Sequence, residues 1–264
     1  MLAFFKDSTR KTVWKMEAGI VPISLFRFLD GESAHMQIQA FHLTKVHDSG
    51  VKVLDDAYFS APEGSFVAVL GESRTGKSTF LKILGGEEKP TSGVLRIDHK
   101  DIYSLSEKER HQWLSDVGMI FPDLKLFPDK TVEENIHFIL QAKGASGEGE
   151  REAVAKLLSN AGLEGKASSK PSVLSSGEQR MVLALRAMIF RPRLLLADDP
   201  FQGLDEKAIA VLFRLFHELN RSGSTVILST QQMAFLDASR NNSLPISWVK
   251  LEQGKLEPLE EIAS

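Results

Sequence analysis

The chain has 264 residues, 42% of them hydrophobic and 25% charged, with a formal net charge of -3 and no cysteine. That composition describes a globular protein able to bury a substantial core. It excludes disulfides, thiolate metal sites and cysteine nucleophiles, and it argues against broad nucleic-acid binding through a basic surface.

The apolar stretch GIVPISLFRFL at residues 19–29 holds Pro22 and Arg27. It falls short of the ~20 apolar residues a membrane-spanning helix needs. The leader mixes acids with bases and has no small-residue cleavage pattern, so a secretory signal is a poor reading. Residues 1–35 are read as an N-terminal extension, either disordered or upstream of a true start at Met36.

Residues 36–46 and 51–60 flank the turn Asp48-Ser49-Gly50 and predict a β-hairpin. A continuous apolar strand at 65–71 runs through a glycine loop into a helix at 77–86. A short strand follows at 93–97. Ser106 with Glu109, and Thr131 with Glu134, form capping boxes for helices ending at Trp113 and Lys143. Between them, DVGMIFPDLKLFPD predicts a strand and then an exposed apolar loop, Leu124 to Phe127. The stretch 144–150 is a flexible break before an amphipathic helix at 151–161. The remainder alternates helix (177–190), strand (193–197), helix (205–220), strand (225–229) and short helix (232–238). Such alternation implies a mostly parallel sheet covered on both faces, with the block 107–176 as a helical insertion.

Two stretches carry chemistry. GESRTGKST, comprising Gly71, Glu72, Ser73, Arg74, Thr75, Gly76, Lys77, Ser78 and Thr79, matches G-x-x-x-x-G-K-[ST] between a strand and a helix. Backbone N–H groups there point at phosphate oxygens, Lys77 adds charge, and the Ser78 hydroxyl ligates Mg²⁺. LLLADDPFQGLD, at 194–205, ends an apolar strand in two acids. That strand is expected beside the first, with Asp198 holding Mg²⁺ and Asp199 placed as a base facing the γ-phosphate.

VLSSGEQRMVLALRAMIFRPRLLLADDPFQGLD, at 173–205, closely resembles the signature helix and Walker B block of ATP-binding cassette (ABC) ATPases, commonly LSGGEQQRVAIARAL followed by LLADEPTGNLD. The resemblance spans about 36–256, leaving 257–264 as a tail. Within the superfamily, VGMIFPDLKLFPDKTVEENI and LFHELNRSGSTVILST look most like the cell-division group FtsE, with the lipoprotein-release and macrolide-export groups LolD and MacB near it.

The resemblance implies an α/β P-loop NTPase fold: an antiparallel β subdomain, a mostly parallel core sheet and an α-helical insertion. It implies ATP and Mg²⁺ as cofactors, and a homodimer or heterodimer sandwiching two ATP molecules. The implied partner is an integral membrane FtsX-like subunit, with the chain peripheral on the cytoplasmic face of the inner membrane and no nucleic acid involved. An export or lipoprotein-release ATPase and a catalytically impaired regulatory module are the alternatives. Carried over by position, Ser175 and Gly177 match signature residues that reach the γ-phosphate of the opposite subunit. Asp205 matches the D-loop aspartate, and His47 stands where many members stack an aromatic ring on adenine, a place it would fill either by stacking or as a solvated turn histidine.

The departures from the family pattern fall together. Asp199 replaces the catalytic Glu, Pro122 replaces a loop Gln whose role is then absent or supplied by a neighbour such as Asp123, and Gln231 replaces the switch His. The Asp199 side chain is one C–C bond shorter, roughly 1.5 Å, and a misplacement of about 1 Å can cost on the order of 10²-fold. Ser176 and Arg74 also replace glycines, which is costly wherever φ is positive. Phosphate- and Mg²⁺-binding groups are mostly kept while water-handling groups are altered. The expectation is Mg-ATP binding and dimerisation with slow hydrolysis.

Overall fold

The structure is a computed structural model that describes residues 36–144, 148–231 and 245–259. Five consecutive residues in β3 (Phe66–Leu70) and in β7 (Leu194–Asp198), and all six in β8 (Thr225–Thr230), are buried, so these strands are covered on both faces. They form the centre of a six-stranded sheet ordered β10-β9-β3-β8-β7-β6, completed by β6 (Val117–Ile120), β9 (Ile246–Glu252) and β10 (Lys255–Pro258). All neighbours pair in parallel except the edge strand β10, which runs antiparallel to β9.

Strand alternation divides the core in two. Phe66, Ala68, Leu195, Ala197, Val226 and Leu228 face a cluster built with α3 (Val132–Ala142), α4 (Glu148–Asn160), α5 (Ser176–Met188) and α6 (Glu206–Arg221). Val67, Val69, Leu194, Leu196 and Ile227 face the other way. They pack against Phe80, Leu81, Ile83 and Leu84 of α1 (Lys77–Leu84) and against the second sheet. That second sheet is antiparallel, ordered β2-β1-β4-β5, with β1 (Ile38–Val46), β2 (Lys52–Ala61), β4 (Ser92–Ile97) and β5 (Lys100–Asp101).

The expected hairpin, the strand-loop-helix unit and both capping boxes are present. The Ser106 and Thr131 side chains accept from Glu109 N and Glu134 N at the starts of α2 (Glu107–Leu114) and α3. One placement is corrected. The Asp-ending strand β7 does not lie beside β3, because β8 is inserted between them. β8 fits there because it is buried throughout and ends level with both neighbours, Leu70 opposite Thr230 and Asp198 opposite Ser229.

Within 107–176, β6 belongs to the parallel sheet, and α3 and α4 follow it. Strands β9 and β10 were not anticipated. Only Leu251 of β9 is buried, so the run carries no clear alternation. The turn between them returns to β2 through Asp55 N donating to Gly254 O at 3.0 Å. The expected extension at 1–35 and helix at 232–238, with most of the tail, lie outside the described residues.

Candidate functional site

The loop 71–79 leaves the carboxyl end of β3 and closes on α1. Gly76 caps α1 at φ 102°, ψ 8°. A Cβ there would sit 2.9 Å from the Val53 carbonyl oxygen, so both conformation and space require glycine. Lys77 is 5% exposed, and its Nζ donates to the Gly71 and Glu72 carbonyls at 2.7 and 2.5 Å. Thr75 Oγ1 donates to Glu72 O at 3.0 Å, tightening the same turn. Burial pushes the Lys77 ammonium below its ordinary value, partly offset by the charges of Asp199 and Asp198. A lysine buried against neutral carbonyls, beside two acids, is a cation held ready for an anion.

Ser78 is exposed at the first turn of α1. Thr79 Oγ1 lies 3.3 Å from His47 Nε2, and His47 Nδ1 lies 3.6 Å from Glu88 Oε1. The structure thus brings His47, which directly follows β1, onto the start of α1. Arg74 is exposed at φ 65°, so the glycine it replaces is missed sterically. Ser176 is different: it opens α5 in ordinary helical backbone and is not among the positive-φ residues described. That substitution carries no backbone penalty.

Asp198 ends β7 at 5% exposure and accepts from Ser229 Oγ at 2.5 Å. Asp199 follows at φ 44°, and its N–H donates to both Ser229 O and Ser229 Oγ at 3.1 Å. Aspartate tolerates this left-handed region better than most residues. One carboxylate oxygen, Oδ1, is buried without a hydrogen-bond partner. Burial, and then the Asp198 charge, raise the Asp199 carboxyl above the ordinary value, while Lys77 and Arg180 pull it down. An acid so placed has gained proton affinity, the property a general base requires.

Gln231 Nε2 is 3.5 Å from Asp199 Oδ2, at the limit of a hydrogen bond. The two proposed water-handling residues therefore meet, but the glutamine amide is turned to the carboxylate. Pro122 is exposed beside Asp123, whose carboxylate is held by Lys82 Nζ of α1 at 3.1 Å. That hydrogen bond lowers the Asp123 carboxyl from its ordinary value. Asp123 is thus engaged at α1.

Ser175 caps α5, accepting from Glu178 N at 3.2 Å, while its own N–H donates to Glu178 Oε2 at 2.7 Å. Gly177 follows one residue into that helix, with Leu204 and Gly203 at ordinary contact distance from a Cβ. Asp205 caps α6 through Ala208 N at 2.8 Å. Both caps lie on the same chain as the loop, and their local bonds are helix-capping bonds.

A cleft of about 460 Å³ opens between Asp198, Pro122 and the signature helix, lined also by Leu124, Leu126, Arg180 and Pro200. The apolar loop is only partly exposed as expected. Leu126 is 9% exposed and packs in the core, whereas Phe127 is 38% exposed against Phe138 and Arg186. Buried Asn135 shapes this loop by bonding Phe127 N and O, Lys130 O and Thr131 O.

The sequence reading missed Ser229, Arg180 and Asn135. Ser229 had a signal, lying two residues before Gln231 on the strand that borders Asp198.

A family model described as ABC transporter matches residues 54–202. The chain belongs to the ABC transporter ATP-binding family. It is 34% identical to the cell division ATP-binding protein FtsE of Mycobacterium tuberculosis, over 82% of this chain and 94% of that one. Against FtsE of Escherichia coli the identity is 35%, over 78% and 93%. The lipoprotein-releasing system ATP-binding protein LolD of Colwellia psychrerythraea is 32% identical, over 85% and 86%. Among solved structures, a dimeric ATP-binding cassette in a post-hydrolysis state, bound to ADP and Pi, superimposes with a TM-score of 0.76. Its identity is 31%, over 86% of this chain and 99% of that one.

Proposed function

We propose that this chain is the ATP-binding subunit of a membrane-associated ABC complex of the FtsE type. In this reading it works as a dimer, with itself or with a second cassette, and couples nucleotide binding to an FtsX-like membrane subunit in cell division. The observation that carries the nucleotide part is buried Lys77, held on the loop carbonyls beside Asp198 and Asp199. The names and mutual coverage of the FtsE relatives support the cell-division part. Among the described residues no helix is long and apolar enough to cross a membrane, so attachment through a partner suits the reading.

The donor set fits Mg-ATP. The Ser78 hydroxyl and the Asp198 carboxylate are the hard oxygen ligands Mg²⁺ prefers, and Lys77 and the loop N–H groups suit phosphate oxygens. Bound Mg²⁺ would polarise phosphoryl oxygens and neutralise their charge. Asp199 would accept a proton from water at the terminal phosphate, its unpaired buried Oδ1 being a free acceptor. Ser175 and Gly177 would reach the nucleotide of the opposite subunit.

Turnover in this reading is slow. The base is short, its Oδ2 faces Gln231, and Pro122 offers no side-chain polar atom to orient water. The isolated chain is expected to bind Mg-ATP and release phosphate slowly in a single-turnover assay. A fast single turnover that Asp199→Asn strongly reduces overturns slow hydrolysis. The membrane subunit would dock on the exposed part of the apolar loop at Phe127, so Phe127→Asp should lose a co-expressed membrane subunit in pull-down while keeping nucleotide binding. Retention of that subunit overturns the exposed apolar loop as its docking point. A lipoprotein-release permease as the neighbouring reading frame would favour the LolD reading.

A further inference from the structure

Arginine is a poor choice for residue 74. Its φ of 65° is in the left-handed region, where residues other than glycine, Asn and Asp are strained. Arg74 has an exposed side chain and, among the described residues, takes part in no hydrogen bond or ion pair, so nothing inside the fold compensates for the strain. Backbone strain of this kind clusters at binding and catalytic sites, and of the eight positive-φ non-glycine residues described, Arg74 is the one within the phosphate loop.

The charges around the loop say what that function is. Lys77 is buried and already bound to two carbonyls. Two acids, Asp198 and Asp199, face it, and Arg180 acts on Asp199. Residue 231, at the end of β8, is a neutral glutamine with its amide nitrogen on Asp199. Two cations thus roughly cancel two acids, and Glu72 of the same loop adds a further negative charge, so beyond bound Mg²⁺ little positive charge remains for a triphosphate. Arg74, three residues before Lys77 on the outer turn of the same loop, is the remaining cation of that loop.

Resting on the reading of 71–79 as a nucleotide-phosphate loop, we propose that Arg74 is a second phosphate-binding cation, engaging the terminal phosphate of a nucleoside triphosphate and making the site selective for triphosphate over diphosphate. The terminal phosphate carries the most charge and the most unbridged oxygens. A guanidinium approaching from the solvent side therefore gains most there, through two parallel N–H···O bonds. The side chain also offsets the charge that neutral Gln231 does not supply.

The test is calorimetric titration of the full chain with Mg-ATP and Mg-ADP, comparing wild type with Arg74→Asn, Arg74→Lys and Arg74→Gly. Asparagine tolerates the left-handed backbone but removes the charge, so it isolates the guanidinium. Expected for Arg74→Asn is about a tenfold loss of Mg-ATP affinity, the size of one charge-assisted contact, with Mg-ADP affinity nearly unchanged. Arg74→Lys should recover part of the loss. Arg74→Gly should lose ATP affinity while its melting temperature rises, because strain is relieved.

Wild-type affinities for both nucleotides in Arg74→Asn overturn the proposal while leaving the loop reading intact. Equal losses for ATP and ADP overturn the terminal-phosphate assignment. A wild-type chain that binds neither nucleotide overturns the loop reading and this proposal with it.

Discussion

The carboxyl end of the parallel sheet holds two regions that tolerate change differently. At the end of β3, the loop 71–79 would bind phosphate through backbone N–H groups and a buried ammonium, and it closes on α1 with Arg74 at a positive φ. At the ends of β6, β7 and β8, Pro122, Asp199 and Gln231 stand, in the proposed function, where chemistry would depend on side-chain reach. There each substitution alters a distance or a charge. A site made of backbone and long cations would absorb substitution, whereas one made of short side chains aimed at one water would not.

The largest effect that tests this contrast is Lys77→Ala. It should weaken Mg-ATP binding on the order of 10²-fold by calorimetry, since the charge-assisted contacts to phosphate are lost. Nearly unchanged affinity would show that the loop binds without its buried ammonium, and the contrast would fail on its stronger side. Next is Asp199→Glu, which restores the missing bond length and should raise single-turnover hydrolysis on the order of 10-fold. No gain would place the defect at Pro122 or Gln231 instead.

A smaller effect concerns Ser175. Ser175→Ala removes the acceptor for Glu178 N and should lower chemical-denaturation stability by about 1 kcal/mol without nucleotide. An unchanged midpoint would show that this cap adds nothing to the fold.

The smallest is a pH effect at Asp199. Its carboxyl is raised by burial and by Asp198, so the folded chain binds that proton more tightly than the unfolded chain. Its ionisation therefore costs stability as pH rises past the ordinary carboxylate value. Asp199→Asn should be more stable than wild type at pH 7, and thermal melts should show the advantage vanishing below about pH 4. An advantage that persists in acid would mean packing, not charge, is responsible.

Much of this was legible because it is local. Ser106 and Thr131 each sit three residues before a glutamate, and both expected capping boxes form; Ser175 and Glu178 form a third beyond those two. Lys77 follows a strand and opens a helix as its motif requires. Leu126 and Phe127 were not separable, because one apolar residue in a loop reads like its neighbour. Burial of Leu126 and exposure of Phe127 follow from Asn135, whose side chain pins the loop from α3.

The sequence by itself determined the strand-loop-helix, the helix caps and the pair of acids, because hydrogen bonds within a few residues and apolar periodicity fix them. Only the tertiary structure decided that β8 lies between β3 and β7. That order brings Ser229 to Asp198 and to the Asp199 N–H across 31 and 30 residues of chain, and Gln231 to the Asp199 carboxylate across 32. It also took the folded backbone to reveal that Arg74 and Asp199 have positive φ. Sheet order and left-handed residues depend on contacts distant in sequence, and no local pattern encodes them.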